Sequence, residues 1–450
     1  MTTIPAERVR ADLAEKAAAV LRHNDAGGWT KAAPALYPHQ WSWDSAFVAI
    51  GWAQVDLARA AAEQERLFSA QWANGMVPHI VFDPATPAGA YFPDHTRWAS
   101  WLSPHAPQTA PFTSGLCQPP VHAIAVERIW EVACGRGGAD AELARAHVRR
   151  MFPKLLAWHR YLAEQRDPDG TGLVTTYHPW EGIDNSPRWD VVMRRIEVGQ
   201  LPPYTRRDTQ HVADSGQRPS QDDYDRYLWL VELLKAARYD DAVIRRDYPF
   251  LVGDVFLTAV LAAANAALLR IADVAGAPAA ERDEIERWLG RGRAALAATL
   301  DPETGLTLDV DRATGEPIRV TTFAGVAPLV DPGADPALRA AALRAFDSAD
   351  LTGHPALRWP LLPSTGLNAP QFQQRNYWRG PVWPVVNWLY WHGLCPVEPQ
   401  RAAALRAAAL DALAVVRFAE YFDPITGEPL GSHLQSWTAA VALDWLAPDR

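Results

Sequence analysis

Apolar and basic residues recur at a spacing of three or four along most of this 450-residue chain. Side chains at that spacing lie on one face of an α-helix. About eleven windows follow the pattern, with bounds good to a few residues: 5–23, 44–71, 119–134, 139–164, 222–237, 253–275, 279–300, 336–347, 381–393, 399–419 and 435–446. Strand-like runs are short, at 172–177, 305–310 and 317–323. The pattern predicts an all-α protein.

The helical windows follow one another along the whole chain. Length by itself suggests about three domains, but this continuous helical pattern favours one large unit that spans residues 1–450. A hydrophobic fraction of 48% against 21% charged residues is typical of a folded globular protein.

One turn sequence recurs after long helices. It begins with Asp167-Pro168, Asp301-Pro302 and Asp423-Pro424, and a glycine follows shortly in each copy. Asp starts such a turn, Pro sets the φ of the next position, and Gly accepts a positive φ. The copies form a weak internal repeat in which a helix ends and a loop crosses one rim of the fold.

Long polar loops alternate with the compact helical pairs, at about 83–120, 177–221 and 351–379. Loops of that length inside a compact domain are usually functional. A ring of helical hairpins with long loops on one rim is an (α/α)6 barrel, which is the predicted fold. An irregular α-solenoid is the structural alternative, although solenoids repeat more regularly than this chain does.

The formal net charge of −9 limits the partners. Nucleic acid and anionic membranes both need a basic face, so neither is expected to bind. An anionic small molecule is still compatible with this charge, since one or two focused arginines suffice to hold it.

Cysteines and terminal segments indicate a cytoplasmic protein. Cys117, Cys134 and Cys395 are widely spaced, odd in number and without a metal-ligand pattern, as expected in a reducing compartment. The first helical window mixes charged residues into its apolar face, unlike a signal peptide. The most apolar run, 255–269, is interrupted by polar residues and is too short to span a bilayer.

Aromatic residues concentrate in loops beside carboxylates. The chain has 20 Trp, well above ordinary usage. Most of them are expected in the core, but the stretch 376–384, Asn-Tyr-Trp-Arg-Gly-Pro-Val-Trp-Pro, combines flat apolar rings with the fixed donors of Arg379. A second cluster is Trp41-Ser42-Trp43-Asp44. Such clusters are suited to binding a sugar.

The loop 177–190 is the first candidate for catalysis, because it combines three carboxylates with the indoles of Trp180 and Trp189. A carboxyl packed against an indole is poorly solvated when charged, so its pKa rises and it can act as a general acid. Asp184 and Glu181 are rival candidates. The structural alternative is a turn in which Asp184 bonds to nearby backbone.

Glu420 is the second candidate. It follows a helix, lies between aromatic residues, and precedes the last copy of the repeated turn. The equivalent position of another copy holds Glu164, which lacks aromatic neighbours, whereas Asp423 takes the structural first position of the turn. The alternative is a solvated glutamate at a helix end.

Two further patterns are weaker. Asp222, Asp223 and Asp225 miss the spacing of a magnesium-diphosphate site, and a helix that opens with acidic residues explains them better. An epimerase on the same barrel would use paired histidines. The loop histidines show no such pairing in the sequence: His39, His79, His95 and His178.

Four motifs occur together in order: Trp41–Asp44, the acidic loop between Trp180 and Trp189, 376–384, and Glu420 with Gln435-Ser436-Trp437-Thr438. As an ordered set they resemble glycoside hydrolase family sixty-three, and most closely its short bacterial members, which hydrolyse glucosylglycerate and mannosylglycerate. The eukaryotic members have extra domains and a membrane anchor that are not expected in this protein, which favours a small intracellular substrate.

The resemblance implies an inverting α-glycosidase without metal or cofactor. It assigns the general acid to Asp184 and the general base to Glu420, with carboxyl groups roughly 6.5–9.5 Å apart to admit a water. The residues that it assigns to the sugar are Tyr37, Trp41, Trp43, Asp44, Gln118, Trp378 and Trp383. Those that it assigns to the glycerate are Arg218, Tyr91, Tyr224, Tyr377 and Gln435. Trp180, which flanks the acidic loop, is a further candidate for binding the substrate.

The expected reaction is hydrolysis of an α-glycosidic bond to glycerate, with a small anionic sugar as the ligand and a homo-oligomer compatible with the sequence. One alternative is a hydrolase of a neutral α-glucoside such as trehalose or a short oligosaccharide. Another is a sugar-binding or epimerising toroid that hydrolyses nothing.

Overall fold

The computed structural model describes residues 6–210 and 214–447. Three parts of the predictions lie outside the described residues: the ends of the predicted domain at 1–5 and 448–450, the first position of the predicted helix 5–23, and residues 211–213 of the predicted loop 177–221.

The described residues contain fifteen α-helices. They are α1 (Ala6–Asn24), α2 (Ser42–Val55), α3 (Leu57–Phe68), α4 (His95–Trp98), α5 (His122–Arg136), α6 (Gly138–Glu164), α7 (Asp190–Met193), α8 (Gln221–Ala236), α9 (Asp241–Asp247), α10 (Val255–Ala275), α11 (Ala279–Ala298), α12 (Pro336–Phe346), α13 (Pro384–Leu394), α14 (Pro399–Val416) and α15 (Ser436–Leu446).

Six helical segments form an inner ring. Each contacts the next in the order α2, α5, α10, a 3-10 helix at Phe323–Val330, α13 and α15, and α15 returns to α2. An outer helix packs on each inner one: α3 on α2, α6 on α5, α11 on α10, α12 on the 3-10 helix, α14 on α13 and α1 on α15. The predicted (α/α)6 barrel is confirmed.

Two of the inner helices, α2 and α10, are buried along most of their length. In α2 every residue from Ser42 to Ala53 is buried, and α10 is likewise buried along most of its length. By length and composition α10 could cross a membrane, and 89% of its most apolar window is buried inside the protein. The helix is longer than the run 255–269 that the sequence suggested, so burial in the ring, not insufficient length, accounts for its apolar character.

Helix boundaries differ from the predicted ones at two places. The single window 44–71 is two helices, because Asp56 leaves the helical conformation and its side chain accepts the Arg59 N–H at 3.0 Å as an N-cap. The predicted strand-like run 317–323 ends at Phe323. In the structure an inner helix of the ring, Phe323–Val330, begins at that residue. A short apolar run does not distinguish a strand from a buried helix.

Eight short strands accompany the helices in the described residues. They are β1 (Gln40–Trp41), β2 (Ile80–Val81), β3 (Thr175–Thr176), β4 (Val252–Gly253), β5 (Asp309–Asp311), β6 (Pro317–Ile318), β7 (Tyr421–Phe422) and β8 (Pro429–Leu430). β3 to β6 form one antiparallel sheet in that order, while β1 pairs with β2 and β7 with β8, also antiparallel. Each predicted strand-like run overlaps one of them, and each strand is shorter than predicted.

The repeated turn adopts the predicted conformation. Asp167 accepts the Gly172 N–H at 2.6 Å, and Asp423 accepts the Thr426 N–H at 3.0 Å. The glycines that close the copies have positive φ, for example +74° at Gly305 and +71° at Gly427. The copies at Asp167 and Asp301 follow α6 and α11, as the sequence predicts, whereas the copy at Asp423 joins β7 to β8.

Candidate active site

A cavity opens at the rim where the long loops meet. All three predicted loop insertions supply side chains to its wall. The candidate residues that line it are Tyr37, Trp41, Trp43, Asp44, Tyr91, Gln118, Trp180, Asp184, Arg218, Tyr224, Tyr377, Trp378, Glu420 and Gln435. The structure thus brings together residues that are up to about 400 positions apart in the sequence.

Trp383 is the exception among the candidates for binding the sugar and the glycerate, because it does not line the cavity. Its ring stacks on that of Trp378 with centroids 3.8 Å apart and planes within 1° of each other, and it is 1% exposed. Its indole N–H donates to the Tyr377 carbonyl at 3.2 Å. The expectation that Trp383 contacts the sugar is therefore replaced by a supporting position behind Trp378.

Asp184 has the electrostatic environment of a proton donor. Burial raises its pKa to about 7, and the Arg218 cation nearby opposes that rise. Its backbone carbonyl accepts the Tyr227 hydroxyl at 3.0 Å, which holds the loop in place. A carboxyl with this pKa is partly protonated near neutral pH, as a general acid requires.

Glu181, the rival in the same loop, is in a different environment. Although it is buried, the Arg166 guanidinium and hydrogen bonds lower its pKa to about 2. Arg166 Nη2 donates to Oε1 at 2.6 Å, and the Tyr177 N–H donates to Oε2 at 2.8 Å. Glu181 is thus an ionised anchor at the start of the loop and does not line the cavity.

The other end of the acidic loop is also held by ion pairs. Arg188 is 1% exposed and donates to Asp309 of β5 at 2.7 Å and to Asp254 at 2.5 Å. Asp254 also caps α10 by accepting the Phe256 N–H. The loop that carries Asp184 is therefore fixed at both ends to the barrel and its sheet.

Glu420 lies on the segment that enters β7, where it is buried. Its Oε1 accepts the Tyr37 hydroxyl at 2.8 Å and the Tyr377 hydroxyl at 3.4 Å. Its Oε2 accepts the Ser432 N–H at 2.9 Å. Gly431 lies so close that an added Cβ would stand 2.6 Å from Oε2, so a side chain there would displace the carboxylate.

Arg218 lies between these two carboxyl groups and the loop 204–210. It is 7% exposed, its guanidinium lies 4.4 Å above the Tyr377 ring, and Nη2 donates to the Tyr37 hydroxyl at 3.3 Å. Within the described part of the chain, Nε and Nη1 have no hydrogen-bond partner. Asp208 approaches Nε at 3.7 Å. Unpaired donors on a buried cation at a cavity wall are suited to an anionic ligand.

Asp44 completes the polar wall. It is 6% exposed, at the start of α2, and burial raises its pKa well above the usual range. The adjacent Trp43 N–H donates to Gln118 Oε1 at 3.2 Å, which orients that amide at the cavity. Among residues 6–210 and 214–447 no group of three or more His, Cys, Asp or Glu side chains could hold a metal ion.

The acidic run at 222–225 opens a helix, as predicted. Ser220 caps α8 by accepting the Asp223 N–H at 3.1 Å, and Asp222 and Asp223 occupy the first turn. Arg218 and Tyr224, on either side of this cap, both face the cavity.

Comparison with known proteins identifies the family. A family model described as the mannosylglycerate hydrolase MGH1-like glycoside hydrolase domain matches residues 37–438. A glucosylglycerate hydrolase from Mycolicibacterium hassiacum is 46% identical over 437 residues, which cover 96% of this chain and 97% of that protein. The chain belongs to this glycoside hydrolase family.

Other relatives support the same family assignment. A mannosylglycerate hydrolase from Thermus thermophilus is 43% identical over 440 residues, covering 96% of this chain and 99% of that protein. The crystal structure of a GH63 mannosylglycerate hydrolase from the same species with Tris and D-glycerate superposes with a TM-score of 0.87 at 43% identity, covering 96% of this chain and 99% of that one. The resemblance to family sixty-three is thus confirmed.

A more distant structure shares the fold only. The neutral trehalase from Saccharomyces cerevisiae superposes with a TM-score of 0.53 at 13% identity. This likeness supports the barrel architecture.

The cavity of this family member includes residues that the sequence patterns did not select, among them His79, Trp98, Arg207, Asp208 and Trp437. Trp437 belongs to the last of the four ordered motifs, and in the sequence His79 stands only as an unpaired loop histidine. Arg207 and Asp208 carry no local pattern that separates them from other charged loop residues.

Proposed function

We propose that this enzyme hydrolyses the α-glycosidic bond of a glycosylglycerate, glucosylglycerate or mannosylglycerate, to the free sugar and glycerate with inversion. The supporting observation is that Asp184, with a pKa near 7, Glu420, held by tyrosine hydroxyls, and the partly unpaired cation Arg218 line one cavity. The relatives named above are a glucosylglycerate hydrolase and mannosylglycerate hydrolases.

In this proposal Asp184 is the general acid. Its carboxyl donates a proton to the glycosidic oxygen as the bond from that oxygen to the anomeric carbon breaks, so glycerate leaves as an alcohol. Burial, which raises the pKa of Asp184, keeps that proton available near neutral pH.

Glu420 is the general base. It accepts a proton from a water that attacks the anomeric carbon on the face opposite the leaving group, which inverts the configuration. The hydroxyls of Tyr37 and Tyr377 and the Ser432 N–H hold the carboxylate in one orientation. That arrangement requires no reorganisation of Glu420 during the reaction.

Arg218 binds the glycerate carboxylate. Its Nε and Nη1 groups have no hydrogen-bond partner among the described residues, and charged donors of this kind suit a carboxylate. Tyr91, Tyr224, Tyr377 and Gln435 line the same cavity and surround the aglycone. One solved relative holds D-glycerate.

The alternatives fit the cavity less well. An epimerase would need facing histidines, whereas the described lining has carboxylates and one histidine, His79. A hydrolase of neutral glucosides has no use for a buried cation with free donors, and Arg218 faces the cavity.

A substrate panel tests the proposal. Pure glucosylglycerate, mannosylglycerate, trehalose and methyl α-glucoside are incubated with the enzyme, and NMR follows the first anomer released. We expect turnover of a glycosylglycerate, with the β-anomer appearing first. Arg218→Gln should lower kcat/KM for glycosylglycerates by about tenfold or more, since hydrogen bonds to charged groups contribute about 1.5–3 kcal/mol, and should affect methyl α-glucoside far less. Equal losses on both classes, or faster turnover of trehalose, would contradict the proposal.

A cytoplasmic location belongs to the same proposal. The three cysteines are free thiols in the structure, which suits a reducing compartment that holds small anionic glycosides.

A further inference from the structure

His79 lies in the cavity wall outside the set of residues discussed so far. It directly precedes β2 and is 4% exposed. Its carbonyl accepts the Ser42 N–H at 2.9 Å, and its own N–H donates to the Leu116 carbonyl at 2.7 Å. Ser42 directly precedes Trp43 and Asp44, so His79 lies beside the segment assigned to the sugar.

Hydrogen bonds of Ser114 determine which ring nitrogen of His79 carries the proton. The Ser114 hydroxyl oxygen accepts the Ile80 N–H at 3.0 Å and lies 2.5 Å from His79 Nδ1. No other acceptor for the Ser114 hydroxyl proton occurs among the described residues. If that proton is directed at Nδ1, both the Ser114 hydroxyl and Nδ1 are satisfied, so Nδ1 is the acceptor and the proton of the ring is on Nε2.

The ring is neutral and its second nitrogen is free. Burial lowers the pKa of His79 to about 3, so it stays uncharged over the whole working range. Nε2 forms no hydrogen bond with the described part of the chain, whereas the ring packs edge-on against Trp98 at 5.4 Å. His79 therefore presents one fixed, uncharged N–H donor in a wall otherwise rich in indoles and carboxylates.

We propose that His79 Nε2–H donates a hydrogen bond to one hydroxyl oxygen of the bound sugar and so helps to determine which sugar the enzyme accepts. This inference rests on the proposed glycosidase function. The oxygen of a sugar hydroxyl accepts hydrogen bonds, and the fixed Nε2–H of His79 is a donor that can satisfy it. The backbone contact with the Ser42 segment places His79 on the sugar side and not on the glycerate side.

A matched pair of variants tests the inference. His79→Met and His79→Gln have side chains of nearly equal length, but only Gln retains an N–H donor near the position of Nε2. The kcat/KM of each is measured on glucosylglycerate and on its 2-, 3-, 4- and 6-deoxy analogues. We expect His79→Met to lose about tenfold or more on the parent substrate, and His79→Gln to recover part of that loss.

The deoxy series identifies a direct contact. For the one analogue that lacks the bonded hydroxyl, wild type and His79→Met should have similar kcat/KM, while on the other three the loss should persist. An equal loss on all five substrates, or no loss on any, would overturn the inference. Ser114→Ala, which leaves His79 in place and removes the group that orients its proton, should show a smaller loss with the same dependence on that hydroxyl.

The outcomes separate this inference from the proposed function. If the wild type does not hydrolyse glycosylglycerates, the proposed function fails before any variant is compared. If His79→Met does not fold, His79→Gln and Ser114→Ala carry the test by themselves. Calorimetric binding of D-glycerate should be the same in all folded variants, and a loss of that binding would place His79 on the glycerate side and overturn the inference.

Discussion

At the scale of single residues, the pKa values of two carboxyl groups three positions apart shift in opposite directions. The pKa of Asp184 rises to about 7 and that of Glu181 falls to about 2, although desolvation acts to raise the pKa of both. The difference comes from partners: Glu181 accepts from Arg166 and two groups of its own loop, whereas Asp184 faces the cavity. From composition alone the two remain rivals, and the family resemblance selects Asp184.

The raised pKa of Asp184 predicts the alkaline limb of the pH profile. Since the acid must be protonated, kcat/KM should fall as pH rises through about 7. Arg218→Gln removes a cation that lowers the pKa of Asp184, so the alkaline limb of this variant should lie at higher pH than that of the wild type. The alkaline limb of Arg218→Lys should shift less. Asp184→Asn should lower kcat/KM by about 10²–10⁴-fold at every pH. A limb unchanged in Arg218→Gln would show that another group titrates there.

At the scale of elements, the acidic loop is joined to the loop 376–380. Asn185 accepts the Trp378 N–H at 2.9 Å and donates to Asn376 Oδ1 at 2.6 Å. Arg379 donates to both oxygens of Asp190, each at 2.8 Å. The proposed acid and the aromatic wall of the sugar site therefore hold one another in place.

Asn185→Ala should loosen that junction. We expect kcat to fall by about 10- to 100-fold, since a small displacement of a catalytic group has effects of that order, while the affinity for D-glycerate changes little. Stopped assays at saturating substrate give kcat, and calorimetry gives the affinity.

Asn185→Asp is the matched control. It keeps an acceptor for the Trp378 N–H, and a rotated Asn376 amide can donate to the new carboxylate. Its kcat should exceed that of Asn185→Ala, and its alkaline limb should move to higher pH because a negative charge stands next to Asp184. If Asn185→Ala retains wild-type kcat, the junction does not position the acid.

At the scale of the whole molecule, the two ends of the described chain close the ring. Asn24 at the end of α1 donates to Ser436 Oγ at 2.8 Å, and the Ser436 N–H donates to the Ala32 carbonyl at 2.8 Å. α15, which starts at Ser436, also contacts α2, so the first and last inner helices meet without a covalent link.

A ring closed in this way should unfold as one unit. That the chain is a single domain stays a prediction, as does a homo-oligomeric state. We expect one calorimetric transition, and Asn24→Ala should lower its midpoint by about 1–2 °C, because losing a buried hydrogen bond costs about 1–2 kcal/mol in a large domain. Two separate transitions would show that 1–450 is more than one cooperative unit.

Local patterns determine much of this protein. The period of apolar residues predicts the helices, the Asp-Pro turns predict where several of them end, and the aromatic motifs predict most of the cavity wall. These features depend on residues within a few positions of one another, which sequence periodicity and turn chemistry describe well. The break between α2 and α3 was not predicted because Asp56 interrupts an otherwise continuous helical pattern. The inner 3-10 helix was not predicted because a short apolar run does not distinguish a strand from a buried helix.

Only the tertiary structure decided how the side chains of the cavity act. Tyr37 reaches Glu420 across 383 positions of the chain, Trp383 lies behind Trp378, and His79 gains a free N–H donor. The pKa of a carboxyl and the contacts of a ring depend on the charges and solvent around it in space, and the barrel brings these from distant segments. The sequence by itself determined which residues are present at the rim, and the fold decided which of them hold a proton, a charge or a ring in place.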